Sequence, residues 1–200
     1  MIKIGLTGSI GMGKSTTGQM FVQRGCPLHD ADAVVHELYH GEAVPLIEAE
    51  FPGTTGPLGA DRAVLSQKVI GNPEAMRRLE SIIHPLVRAE ERKFFEKAQS
   101  DKADIVVLDI PLLYETHAQD RVDVVVVVSA DESIQRRRVL ERPGMTAEKF
   151  EAIKAKQMPD AEKRSRADYV IDTGKGLEAA ARQVEAILDD VRSRFAQTGE

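Results

Sequence analysis

The sequence holds a single cysteine, Cys26, so no intrachain disulfide can form. Set between Gly25 and Pro27 at the start of an apolar stretch, it reads as a small buried side chain and not as a nucleophile. Cationic excess is also missing: 27 Lys and Arg face 32 Asp and Glu, for a formal net charge of −5. No broad attraction to nucleic acid or to an anionic membrane is therefore expected. Any anionic ligand must be held by locally placed cations and backbone N–H groups. Long apolar runs are absent too, and the longest, Val124–Val128, is far too short to span a bilayer. No basic-then-apolar leader precedes the motif at residue 8, so the cytoplasm is the expected location. The chain has no internal repeat and no low-complexity tract. His29, His36, His40, His84 and His117 are not expected to ligate a metal.

What is present suits one domain with a full core and inserted helical pieces: 200 residues, 42% hydrophobic and 30% charged. Ile2–Leu6 reads as a strand, and Lys14 to about Arg24 as a helix with Phe21 and Val22 inward and Gly25 as its stop. Cys26–Leu28 reads as a short second strand. Residues 31–99 are patterned as helices, with an exposed, mobile Gly/Pro-rich loop at 51–62 and a break near Pro85. Ile105–Leu108 and Val122–Val128 are continuous β-branched runs, as strands covered on both faces require. A charged helical pair is expected within 132–165, then a short strand at Tyr169–Ile171. An amphipathic helix from Leu177 to Phe195 closes the chain, with Val184, Ile187, Leu188 and Val191 inward. Strands at both ends alternating with helices give an α/β fold with a parallel sheet and a helical insertion.

Gly8, Gly13, Lys14 and Ser15 match G-x-x-x-x-G-K-[ST], placed between a strand and a helix. Glycine permits backbone angles and close approach that a Cβ would block. Successive N–H groups can then face phosphate oxygens at the positive end of the helix. Lys14 supplies a mobile positive charge, and the Ser15 hydroxyl is a natural Mg²⁺ ligand. A guanine-nucleotide switch would need an N/T-K-x-D base-recognition element, and none is found. That favours phosphoryl transfer to an acceptor.

Asp109 follows an apolar strand expected beside the first one. It could hold Mg²⁺ or orient the attacking group, or simply cap a turn. Asp30 and Asp32 follow the second strand, and each could be a helix N-cap or a general base. Arg136, Arg137, Arg138 and Arg142 form the densest cationic patch. It could be a solvated helix face, or a lid on which Arg138 and Arg142 share a side. His84 and Arg88 lie in IIHPLVR, either at a functional site or at a helix break with a partly buried histidine.

The segments GLTGSIGMGKST, DADAVVHELY, HPLVR, LDIPLLYE, RRRVLERPGMT and KQMPDAEKRSRADYVIDTG run in this order over nearly the whole chain. In this the sequence resembles the dephospho-coenzyme A kinases, a family of P-loop kinases that phosphorylate the ribose 3′-hydroxyl of dephospho-CoA. The resemblance implies a parallel five-stranded sheet flanked by helices, with a core at 1–30, 100–131 and 166–200. It implies a helical substrate region at 31–99 and a lid at 132–165. ATP would lie against Gly8, Gly11, Met12, Gly13, Lys14, Ser15 and Thr16, with Ser15 and Asp109 toward Mg²⁺. Asp32 would be the base, Lys14, Arg138 and Arg142 would act on the phosphates, and His84, Arg88, Asp109 and Leu112 would contact the acceptor. The expected partner is dephospho-CoA, with no nucleic acid or membrane, and the chain would be a monomer or weak homo-oligomer. Three positions depart from the usual family pattern: Ser9 replaces a common glycine, Ile153 an arginine, and Thr173 an asparagine. Two rivals remain open, namely a kinase of another small molecule and a regulatory protein that uses ATP only to change shape.

Overall fold

The computed structural model describes residues 1–197; the last three residues of the core range expected above lie outside them. The chain divides into two compact units, Met1–His29 with the chain from Asp101 onward, and Asp30–Ser100.

The first unit is built on β1 (Ile2–Thr7), which leads through the glycine loop into α1 (Lys14–Val22). β2 (Leu28–Asp30) follows, and the chain returns from the second unit into β5 (Ile105–Asp109) and β6 (Val124–Ser129). Then come α6 (Glu132–Leu140), α7 (Ala147–Lys154), α8 (Asp160–Arg166), β7 (Tyr169–Asp172) and α9 (Leu177–Gln197). The five strands form one parallel sheet in the order β2-β5-β1-β6-β7. The β-branched runs pair directly: Ile4 opposes Val107 on one side and Val124 on the other, and Leu6 opposes Asp109. Both sheet faces are covered, which is why these strands alternate no polar residues. On one face, Phe21 of α1 and Val184, Leu188 and Val191 of α9 pack on Ile4, Leu6 and Val126. On the other, Leu113, Tyr114 and Ala118 pack with Val125 and Val127.

The second unit contains α2 (Ala31–Leu38), α3 (Val44–Glu50), the short hairpin β3 (Thr55–Gly56) with β4 (Gly59–Ala60), α4 (Arg62–Val69) and α5 (Pro73–Ser100). Leu38, Ile47, Phe51, Leu65, Val69, Leu79 and Ile83 form its own core.

Several expectations are corrected. The second strand is Leu28–Asp30, not Cys26–Leu28. Val22 is exposed, because one residue of helix turns it about 100° away from the buried Phe21. Residues 51–62 are not a wholly exposed loop: Phe51 and Thr54 are buried, and Thr55 and Gly56 pair with Ala60 and Gly59. α5 runs unbroken through Pro85, and His84 is exposed on it. A proline removes one helical N–H and crowds the preceding turn. Here the helix continues because Ala75, Leu79 and Ile83 bury one side of it among α2, α3 and α4. Finally, the 132–165 segment holds three helices and not a pair, since the short, charged α8 has no apolar stripe to announce it.

Candidate active site

The glycine loop leaves the carboxyl end of β1 and turns into α1. Gly8 has to be glycine for space: a Cβ there would lie 2.4 Å from Val128 Cγ2 and 2.8 Å from the Val128 carbonyl oxygen. Gly13 has to be glycine for its backbone, with φ of 94° in the left-handed region. It is also the N-cap of α1, and no side chain caps that end. The amides of the first turn thus point outward at the positive pole of the helix, the arrangement that receives an anion.

Lys14 Nζ contacts Asp109 Oδ1, and Asp109 is buried at the carboxyl end of β5 beside β1. Gly11, Gly13, Thr16, Arg138 and Arg142 line one pocket of about 260 Å³, which Thr173 and Leu177 also border. Arg138 is tied down by two bonds to Thr173, each of 2.9 Å, to its hydroxyl and its carbonyl oxygen. The Thr173 hydroxyl donates to Met12 O at 2.7 Å, so one side chain joins the arginine to the loop. Arg136 instead pairs with Glu151 on the surface. Met12 is buried, whereas Ser15, Thr16 and Leu112 are exposed.

The structure thus brings the loop, Asp109, Arg138 and Arg142 together within the first unit. Asp32, His84 and Arg88 belong to the second unit, where all three are exposed, on α2 and α5. The two aspartates after β2 divide their tasks. Asp30 is the N-cap of α2, its Oδ1 accepting from the N–H groups of Asp32 and Ala33 at 3.0 Å each. The Asp32 side chain takes no part in the cap.

Sequence reasoning missed the residues that grip the loop. Gln135 Nε2 donates to Ile10 O at 2.7 Å, and Gln157 Oε1 accepts from Ile10 N–H at 3.0 Å. A signal was available for the first: Gln135 stands four residues before the buried Val139, a polar residue on an inward face. The Lys163–Glu115 pair, 2.9 Å, was also missed, because Lys163 sits in a charged run that reads as solvated and yet is fully buried.

For a divalent ion the Ser15 hydroxyl and the Asp109 carboxylate offer hard oxygens, the donor type that suits Mg²⁺ when phosphate and water complete its shell. Among the described residues there is no cluster of three or more His, Cys, Asp or Glu that would cage a metal by itself. The histidines include one spacing that would allow a metal pair, since His36-Glu37-Leu38-Tyr39-His40 has the H-E-x-x-H form. α2 ends at Leu38, however, and His40 Nδ1 lies 2.7 Å from the His36 carbonyl oxygen in the following turn. The two rings lie 4.3 Å apart, tilted by 51°, and that His40 nitrogen is already committed to the backbone.

A strand–glycine loop–helix cradle at the carboxyl end of the central strand of a parallel sheet, with a lysine and two arginines around it, defines a P-loop kinase. The solved dephospho-CoA kinase from Campylobacter jejuni has the same fold, with a TM-score of 0.66 at 22% identity over 94% of this chain and 96% of that one. A solved protein of Thermus thermophilus is more similar, with a TM-score of 0.78 at 34% identity over 94% of this chain and 97% of that one. The sequence model of the family described as Dephospho-CoA kinase matches residues 2–178. A dephospho-CoA kinase of Mesorhizobium japonicum is 57% identical over 97% of this chain and 98% of its own length. The chain belongs to the dephospho-CoA kinase family.

Proposed function

We infer that this chain transfers the γ-phosphoryl group of ATP to the ribose 3′-hydroxyl of dephospho-CoA, giving CoA and ADP. The observation that carries the reading is the uncapped α1 N-terminus opening beside Lys14, Arg138 and Arg142, in a chain that matches the family from residue 2 to 178. The loop amides and Lys14 hold the donor phosphates. Arg142, and Arg138 braced by Thr173, offset the charge that builds on the transferring group. Ser15 and Asp109 would hold Mg²⁺, which supplies further charge neutralisation when bound. Asp32 accepts the hydroxyl proton; that Asp30 already serves as the cap supports this role, since it leaves the Asp32 carboxylate uncommitted to α2. Residues 31–99, with His84 and Arg88, hold the acceptor, and 132–165 acts as the lid.

The test is direct. The protein is incubated with Mg-ATP and dephospho-CoA, and the acceptor is examined for a mass gain of one phosphate. Shikimate, a nucleoside monophosphate and a sugar acid serve as comparison acceptors. Transfer to one of these and not to dephospho-CoA would overturn the substrate assignment. Tight ATP binding with no acceptor-dependent ADP release would make the protein a regulator.

A further inference from the structure

Ile10, in the middle of the glycine loop, has both of its backbone polar groups taken by glutamines. Gln135 of α6 donates to its carbonyl oxygen at 2.7 Å, and Gln157, in the turn between α7 and α8, accepts from its N–H at 3.0 Å. The turn carrying Gln157 is anchored at the very next residue: Met158 N–H donates to Glu115 Oε1 at 2.7 Å. The same oxygen lies 2.9 Å from the buried Lys163 Nζ, which reaches Pro111 O at 3.5 Å. Pro111 O also accepts from the Thr7 hydroxyl at 3.2 Å, at the end of the strand that delivers the loop. A closed circuit thus runs from Thr7 through Pro111, Lys163, Glu115, Met158 and Gln157 back to Ile10.

A phosphate cradle loses affinity if its backbone must reorder when the anion arrives, because the ordering then opposes binding. The circuit removes that need at Ile10. The side chain that accepts from Ile10 is an amide, which supplies an acceptor oxygen without a charge; a carboxylate would do so only by placing a negative charge beside the polyphosphate. Gln157, bonded to the Ile10 N–H, fixes the Ser9–Ile10 peptide, and Gln135, bonded to the Ile10 carbonyl, fixes the next peptide, the one that leads into Gly11.

We propose that Gln157 is a positioning residue for the ATP phosphates, acting through Ile10 and itself held in place by the Glu115–Lys163 pair. The proposal rests on the reading of the loop as the ATP site. Gln157→Leu keeps the bulk and removes the acceptor. Losing one hydrogen bond of about 1 kcal/mol corresponds to about a fivefold rise in KM for ATP. KM for dephospho-CoA and kcat are expected to stay within about twofold. Backbone hydrogen exchange read at Ile10 should speed up in Gln157→Leu and remain slow in Gln157→Glu, which retains the acceptor. An unchanged KM for ATP, an equal rise in both KM values, or an Ile10 amide still protected in Gln157→Leu would each overturn the proposal. So would a Gln157→Leu chain that does not fold, since Gln157 would then be part of the general framework, or an Ile10 amide equally unprotected in Gln157→Glu. The exchange arm needs no substrate. A wild-type protein that fails to phosphorylate dephospho-CoA would sink the functional reading, while the exchange result would still decide whether Gln157 sets Ile10.

Discussion

Asp30 and Asp32 are chemically identical and two residues apart, yet the backbone assigns them different work. Asp30 is spent on two amides of α2, and Asp32 is exposed in the first turn. Asp32→Asn preserves size and removes the base. It should lower kcat by about 10²–10⁴ while ATP binding, followed by nucleotide titration, stays near wild type. Unchanged turnover would remove Asp32 from the mechanism. Cys26 makes a complementary case. Burial pushes its thiol up to about 11, and the residue is 1% exposed. A thiol reagent at pH 8 should therefore label native protein far more slowly than protein in urea, where one thiol per chain reacts. Equal rates would contradict the burial. Single residues were legible where their own backbone or chemistry imposes the choice, as at Gly8, Gly13 and Lys14. They were not where the choice depends on a distant partner. Gln157 lies 147 positions from Ile10, and Thr173 lies 161 from Met12, so neither role leaves a local mark.

Elements were legible to the extent that apolar periodicity determined them. The runs at Ile105 and Val124, the inward stripe of α9 and the strand–loop–helix at the amino terminus all have strong patterns and all form. Where a local breaker competes with packing, the local signal misleads. Pro85 suggested two helices, and α5 is one helix of 28 residues. The buried side formed by Leu79 and Ile83 outweighs one missing ladder bond. Pro85 itself is exposed, so Pro85→Ala alters the backbone without opening a cavity. The new N–H can donate to the Ser81 carbonyl. Stability should rise by about 1–3 kcal/mol, seen as a higher urea midpoint with unchanged slope. A lower midpoint would mean that α5 depends on the proline ring itself. The Gly/Pro-rich 51–62 stretch misled in the opposite sense. Its composition favours turns, and one of those turns closes the β3–β4 hairpin, which depends on Gly59: a Cβ there would lie 2.5 Å from the Tyr39 carbonyl oxygen.

At the scale of the molecule, each unit carries its own core, and among the carboxylates through which acid should reach the first unit, Asp104 and Glu115 differ in burial. In Asp104 the bond from Arg192 is the larger influence; it outweighs desolvation and holds the carboxyl below its ordinary 3.8. In Glu115 burial pushes upward, but the bonds from Lys163 and from Met158 N–H outweigh it, and the carboxyl lies below its ordinary 4.5. For both, the unfolded chain binds protons more readily than the folded one, so stability falls as pH falls. Their contribution is complete above the ordinary values and is lost as pH drops through the lower folded values. The consequences should nevertheless differ. Asp104 and Arg192 are 55% and 43% exposed, and such a pair contributes about 0–1 kcal/mol and is weakened by salt. Lys163 is fully buried, so Glu115→Gln leaves a cation with no counter-charge inside the fold, at a cost of about 3–5 kcal/mol at pH 7. Thermal unfolding from pH 7 down to pH 3 should show a shallower acid slope in Glu115→Gln than in wild type. In Asp104→Asn the unfolding temperature at pH 7 should change little, and the difference should vanish in 0.5 M salt. If the two variants prove equally stable at pH 7, the buried pair does not hold this side of the sheet together. The circuit from Thr7 to Ile10 would then lose its anchor.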